Sequence, residues 1–205
     1  MNPLRLLGRA TRFWWKDWIS IFILSSIWLL LQLPVVTGPP ATAMLYAMMA
    51  ESRDGLYWGP AEAWGAFRRL FWPAWRWALV NLLVISVVAV NLLSYTAQAG
   101  NLWFVLRLLW IGGLSLWLLV NLFYWPFYLV QEDRRLRTTF ANSARFLLLH
   151  PIAAFLLGIV CLLVLAISLL TILPVVLGTV GWVALVGVVA VQQSLAQARK
   201  EKVAD

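Results

Sequence analysis

The stretch 33-LPVVTGPPATA-43 decides how this chain is read. It carries three prolines and one glycine directly after Trp18–Val36, an uncharged run long enough to cross a bilayer. Proline removes a backbone donor and breaks a helical hydrogen-bond ladder, and glycine admits backbone geometries that other residues avoid. The chain is therefore expected to bend sharply at or inside the membrane boundary. The apolar run then resumes through Met44–Ala50. Pro40–Ala50 is too short for a hydrocarbon core of roughly 30 Å at about 1.5 Å rise per residue, so it reads as a re-entrant or tilted half-span.

Composition agrees with a membrane protein. Of 205 residues, 63% are apolar and 12% charged, against roughly 25% charged in soluble domains. One helical bundle in the bilayer, a single domain over 1–205, is the expected fold class: all-α, polytopic, three helical hairpins, with five full spans plus the short one. The hairpins are placed at 18–50, 74–130 and 152–191, and basic-aromatic interfacial helices at 3–17, 61–73 and 138–150. Ala41-Thr42-Ala43 resembles a signal-peptidase site, but the apolar run before it exceeds the roughly 7–15 residues of a signal sequence, and further spans follow. Trp18–Val36 is therefore read as an uncleaved first span.

The net charge of +8 sits between apolar runs, not on a basic soluble fold. Anionic lipid headgroups are the expected counterparts, and nucleic acid is not. Four basic intervals occur, at 1–17, 51–76, 131–150 and 192–205, and only Arg107 lies outside them. The turns near 96–101 and 174–178 are neutral. Lysine and arginine in short loops mark the cytoplasmic side. All four intervals share that side only if 18–50 enters and returns, as the Pro/Gly turn also suggests. Both termini are accordingly expected in the cytoplasm of a cell membrane. A weak repeat accompanies this: LPVV recurs at Leu173–Val176, and each copy is followed by one residue and a glycine.

Catalytic chemistry is scarce. No acidic residue falls in a span, which argues against a carboxylate relay. His150 stands beside Pro151 without a partner for a metal site and reads as a helix-entry residue. Cys161, the single cysteine, reads as a buried structural thiol. No phosphate-cradling glycine loop or nucleophile elbow is present. An enzyme, a metal and a cofactor are not expected.

One face does carry polar chemistry. Stepping four and three residues from Trp103 gives Arg107, Trp110, Leu114, Trp117, Asn121, Tyr124 and Tyr128 on one side of a helix. Trp103, Arg107, Trp110, Trp117, Asn121 and Tyr124 are the candidate ligand-binding residues, since indoles and phenols stack on sugar rings while Arg and Asn supply hydrogen bonds. Packing is the commoner reading of such a stripe, with Arg107 snorkelling to the interface. Asn81, Asn91 and Gln32 could complete such a site or bond across helices. In the last span Gly181, Ala184, Gly187 and Ala190 form a small-residue stripe suited to close helix packing.

LPVVTGPPATAMLYAMM at Leu33–Met49 resembles the signature of the YesL family of bacterial membrane proteins, a family of unknown function. Pro34, Thr37, Gly38, Pro40, Ala41 and Thr42 match in type. Pro39 makes a Pro-Pro pair where that family usually has one proline, and the family has a further apolar residue before the glycine. The resemblance implies a bacterial cytoplasmic-membrane protein tied to carbohydrate uptake, with an ABC permease or a sensor as partner. Pro34, Thr37, Gly38, Pro39 and Pro40 then form a structural turn. A small transporter or channel lined by the Trp103–Tyr128 stripe is the alternative, and a homo-oligomer is compatible with either.

Overall fold

The computed structural model describes residues 2–51, 59–95, 100–171 and 178–204, with side chains as far as residue 200. Arg53 and Asp54, most of the neutral turn at 96–99, and the second LPVV copy at 173–176 with Pro174 lie outside the described residues.

The described chain is all helix: α1 (Pro3–Lys16), α2 (Trp18–Gln32), α3 (Gly38–Glu51), α4 (Pro60–Ser94), α5 (Asn101–Val130), α6 (Leu136–Leu149), α7 (Pro151–Thr171) and α8 (Val180–Ala204). Four of these, α4, α5, α7 and α8, are long and apolar enough to cross a membrane, and a fifth span arises if α1 and α2 count together. These features make the protein a multi-pass helical membrane bundle.

Three boundaries differ from the sequence reading. The first span, expected as Trp18–Val36, is a helix of only 15 residues that stops at Gln32. At about 1.5 Å per residue it reaches roughly 22 Å, short of a hydrocarbon core by itself. It meets α1 at a bend of 90°, the geometry of a broken span or a re-entrant loop. Second, α1 is packed onto the rest of the bundle. Leu6 and Ala10 are fully buried, and its polar groups dock along α8: Arg9 Nη1 donates to Gln193 Oε1 at 3.0 Å, and Trp14 Nε1 to the Gly178 carbonyl at 3.2 Å. An apolar stripe buried against the bundle together with a satisfied indole donor holds α1 in place. Third, the interfacial helix expected at 61–73 and the span expected from 74 form one continuous α4 of 35 residues through Pro73. Leu70 and Ala74, buried on either side of that proline, pin both halves, so the lost hydrogen bond does not end the helix.

The turn shows what each motif residue does. Thr37 Oγ1 donates toward the carbonyls of Leu31 (2.6 Å) and Pro34 (2.9 Å), and the Thr37 carbonyl accepts from Ala41 N at 3.0 Å to start α3. Pro39 and Pro40 fall in the first turn of α3, where backbone N–H groups have no intrahelical partner, so they cost nothing there. Gly38 serves close approach: a Cβ on it would lie 2.7 Å from Gln32 Oε1. Gln32 Nε2 reaches the Gly38 carbonyl at 3.3 Å, and Trp28 Nε1 bonds Thr42 Oγ1 at 3.0 Å, tying α2 to α3. From α4, Trp75 Nε1 donates to the Val36 carbonyl at 3.1 Å.

Beyond this turn α3 is buried on every side, from Ala43 through Met49, and it packs against α2, α4, α5 and α8. A short helix survives at membrane depth because protein, not lipid, surrounds it. Small residues let α8 close in: a Cβ on Gly187 would lie 2.8 Å from the Leu122 carbonyl oxygen, and one on Gly181 2.5 Å from Ile21 Cγ2. The small-residue stripe thus serves packing within the chain. His150 caps α6, and its carbonyl accepts from Ala154 N at 2.9 Å to open α7.

Candidate functional site

The aromatic stripe of α5 is divided into three parts by what covers it. At the end joined to α4, the Trp103 ring lies 5.1 Å from Tyr95. There the Arg107 guanidinium donates to the Tyr95 carbonyl, at the C-terminus of α4. A cation on exposed helix-end carbonyls is favoured by both hydrogen bonding and the helix dipole. Arg107 therefore joins the two ends of the hairpin. Trp110 is half-buried on the same face.

In the middle, Trp77 Nε1 donates to Asn121 Oδ1 at 2.8 Å and Trp117 Nε1 donates to Asn81 Oδ1 at 2.9 Å. Each asparagine then donates its amide to the carbonyl of the tryptophan four residues before it, Asn81 to Trp77 and Asn121 to Trp117, both at 2.9 Å. The i, i+4 spacing puts each Trp and its Asn on one face, so two antiparallel helices present the same pair to each other. The result is a reciprocal clasp between α4 and α5.

In the inner part, Tyr124 is 1% exposed and meets Phe140 of α6 (4.6 Å between centroids), Trp125 (5.3 Å) and Tyr128 (6.1 Å). Phe140 also stacks on Trp117 at 4.9 Å. Of the residues suggested to complete a site, only Asn81 joins the stripe. Asn91 bonds the Val87 carbonyl within α4, and Gln32 belongs to the α2–α3 turn. The structure brings the candidate residues onto one helix face but sets Trp103 and Arg107 at the hairpin tip, apart from Trp117, Asn121 and Tyr124, which share Trp77 and Phe140 as neighbours.

Two cavities lie beside this framework. One, about 200 Å³, is lined by Trp77, Asn121 and Trp125 with Tyr46, Gly158 and Cys161. Among the described residues, Asn121 is the only stripe residue that borders it, and the Trp125 indole N–H, fully buried beside it, has no acceptor. The second, about 710 Å³, opens at the basic end between the last turn of α3, α4, the α5–α6 junction and α8. Arg69, Arg134 and Arg199 line it together with Glu51 and Gln192. These arginines come from three of the basic intervals of the sequence. Only their common sign hinted at convergence, and the sequence reading did not single them out. Among the described residues no group of three or more His, Cys, Asp or Glu side chains is placed to hold a metal ion.

No family model, no curated protein and no solved structure matches the chain.

Proposed function

We propose that the chain is a non-enzymatic accessory subunit of the bacterial cytoplasmic membrane, tied to carbohydrate uptake and not itself a conduit. The observation that carries this is the closed clasp. The polar groups of Trp77, Asn81, Trp117 and Asn121 are spent on one another, leaving little in the stripe to bind a solute or to line an aqueous path. The link to carbohydrate, and to an ABC permease or sensor as partner, comes from the resemblance of Leu33–Met49 to the YesL family.

The surface for such a partner is the far half of the α4–α5 hairpin. Burial on α4 is concentrated between Ala63 and Ala74, with Val88 alone beyond, and on α5 between Leu119 and Tyr128. Leu82, Leu83 and Val90 of α4 and Leu102, Leu108 and Leu109 of α5 face outward. A photo-crosslinking residue at Leu83 or Leu109, with mass spectrometry of the products from the native membrane, tests the reading. A stoichiometric adduct with a permease or sensor supports it. Adducts with lipid alone, accompanied by solute flux in vesicles holding the purified chain, overturn it in favour of a transporter.

A further inference from the structure

We infer that the cavity at the basic end is a binding site for a phosphate ester, held by Arg69, Arg134 and Arg199. Its volume, about 710 Å³, falls in the range of roughly 300–1,000 Å³ usual for ligand sites. The three arginines reach it from three places in the chain: α4, the α5–α6 junction and α8.

The competing charges can be counted. Glu51 lies in the cavity wall and pairs with Arg69 at 4.0 Å, with both side chains about 60% exposed (60% and 59%). At that distance and exposure the pair is weak and neutralises one arginine at most. α3 ends at Glu51 and α5 at Val130, both in the wall, and each helix C-terminus adds about half a negative charge. Arg134 and Arg199 have no ion pair among the described residues. Three positive charges against roughly two negative leave an excess, and a neighbouring cavity of about 440 Å³ enlarges it. That cavity shares Gln192 and Ala196 with the first and adds Arg9 and Arg12. Five arginines therefore line two adjoining cavities along α8, three in the first and two in the second.

Guanidinium groups present parallel N–H donors that match phosphate oxygens two at a time. Apart from Glu51 and Gln192, the rest of the wall, including Ala47, Ala50, Leu70 and Leu129, is apolar. This combination fits a phosphate joined to a carbon body rather than free inorganic phosphate. An anionic lipid headgroup and a soluble phosphate ester share that chemistry, and the experiment separates them. The inference does not depend on the accessory reading, because a conduit could carry the same site.

The test is thermal unfolding of the full chain in a neutral detergent with three probes: phosphatidylglycerol, phosphatidylcholine and glycerol 1-phosphate. The site predicts stabilisation by phosphatidylglycerol and not by phosphatidylcholine. Glycerol 1-phosphate stabilises equally if the ligand is soluble, and little if the acyl chains are needed. Arg134→Gln and Arg199→Gln should each weaken the apparent affinity about tenfold, as expected for loss of a charge-assisted hydrogen bond. Arg5→Gln with Arg137→Gln, which removes two charges against one in each cavity variant and does not touch the cavity, should leave it unchanged. Absence of any shift, or equal loss in the control pair, would overturn the inference. If a cavity variant fails to fold, retention of phosphatidylglycerol by the wild type in native mass spectrometry decides instead, and release of all lipid counts against the site.

Discussion

Trp77 and Asn121 bond across α4 and α5 at 2.8 Å, and Trp117 and Asn81 repeat that bond in reverse at 2.9 Å. The two helices are thereby joined where the hairpin leaves the compact bundle. In hydrocarbon an unmet indole N–H or amide has no water to turn to, yet measured interhelical bonds contribute only about 0.6–2 kcal/mol, because the separated helices also find partners. The clasp therefore fixes register more than it supplies stability.

If the clasp works as a unit, Trp77→Phe and Asn121→Leu should each lower stability by about 1 kcal/mol. The double variant should lose less than the sum, since both remove the same bond. Unfolding in detergent, followed by tryptophan fluorescence or circular dichroism, gives the coupling. Strict additivity would mean the bond contributes nothing.

Gly38→Ala should destabilise by about 1 kcal/mol, because the new Cβ meets Gln32 Oε1 at 2.7 Å and the flexible amide must swing away, loosening its bonds to the Gly38 carbonyl and Thr42. In a Gln32→Ala background, where that amide and its bonds are already gone, Gly38→Ala should cost less. Failure of the second change to help would place the cost in backbone conformation instead.

Gly187→Ala should be harder to rescue. Its Cβ meets a backbone oxygen, that of Leu122, at 2.8 Å, and no side-chain trimming removes it. Gly181→Ala meets the Ile21 side chain, so Ile21→Ala should relieve it. Comparing the two pairs by thermal midpoint distinguishes backbone from side-chain contact between α8 and its neighbours.

Arg107→Leu should loosen the tip of the α4–α5 hairpin without unfolding the bundle. Hydrogen exchange should rise in α4 after Ser86 and in α5 before Trp110, while α3 stays protected. Uniform exchange across the chain would assign Arg107 a global role.

The sequence carried some of this plainly. The α2–α3 turn was readable because Pro39 and Pro40 leave few alternatives after an apolar run, and the helix pairs followed from where arginines cluster. The change from basic-aromatic to apolar composition misled at residue 73, where burial of Leu70 and Ala74 keeps α4 going through the proline. The bend at Asp17 was hidden because uncharged length says nothing of packing, and α1 finds its partner on α8, far along the chain. For the stripe, spacing put Trp103 through Tyr128 on one face but could not say what covers it. Trp77-x3-Asn81 and Trp117-x3-Asn121 were both visible, yet their pairing depends on the register of two helices. Arg69, Arg134 and Arg199 converge only in three dimensions.

Cysteine accessibility along α5 in sealed membranes shows whether the clasp is closed to water. Native Cys161 is buried, so the unmodified chain is the control. Trp117→Cys and Asn121→Cys, each treated with a small water-soluble maleimide, should stay unlabelled, while Arg134→Cys labels from one side of the membrane and Asn101→Cys from the other. Labelling of residue 117 or 121 from water, in a variant that still folds, would contradict the account and mean that an aqueous path runs along the stripe.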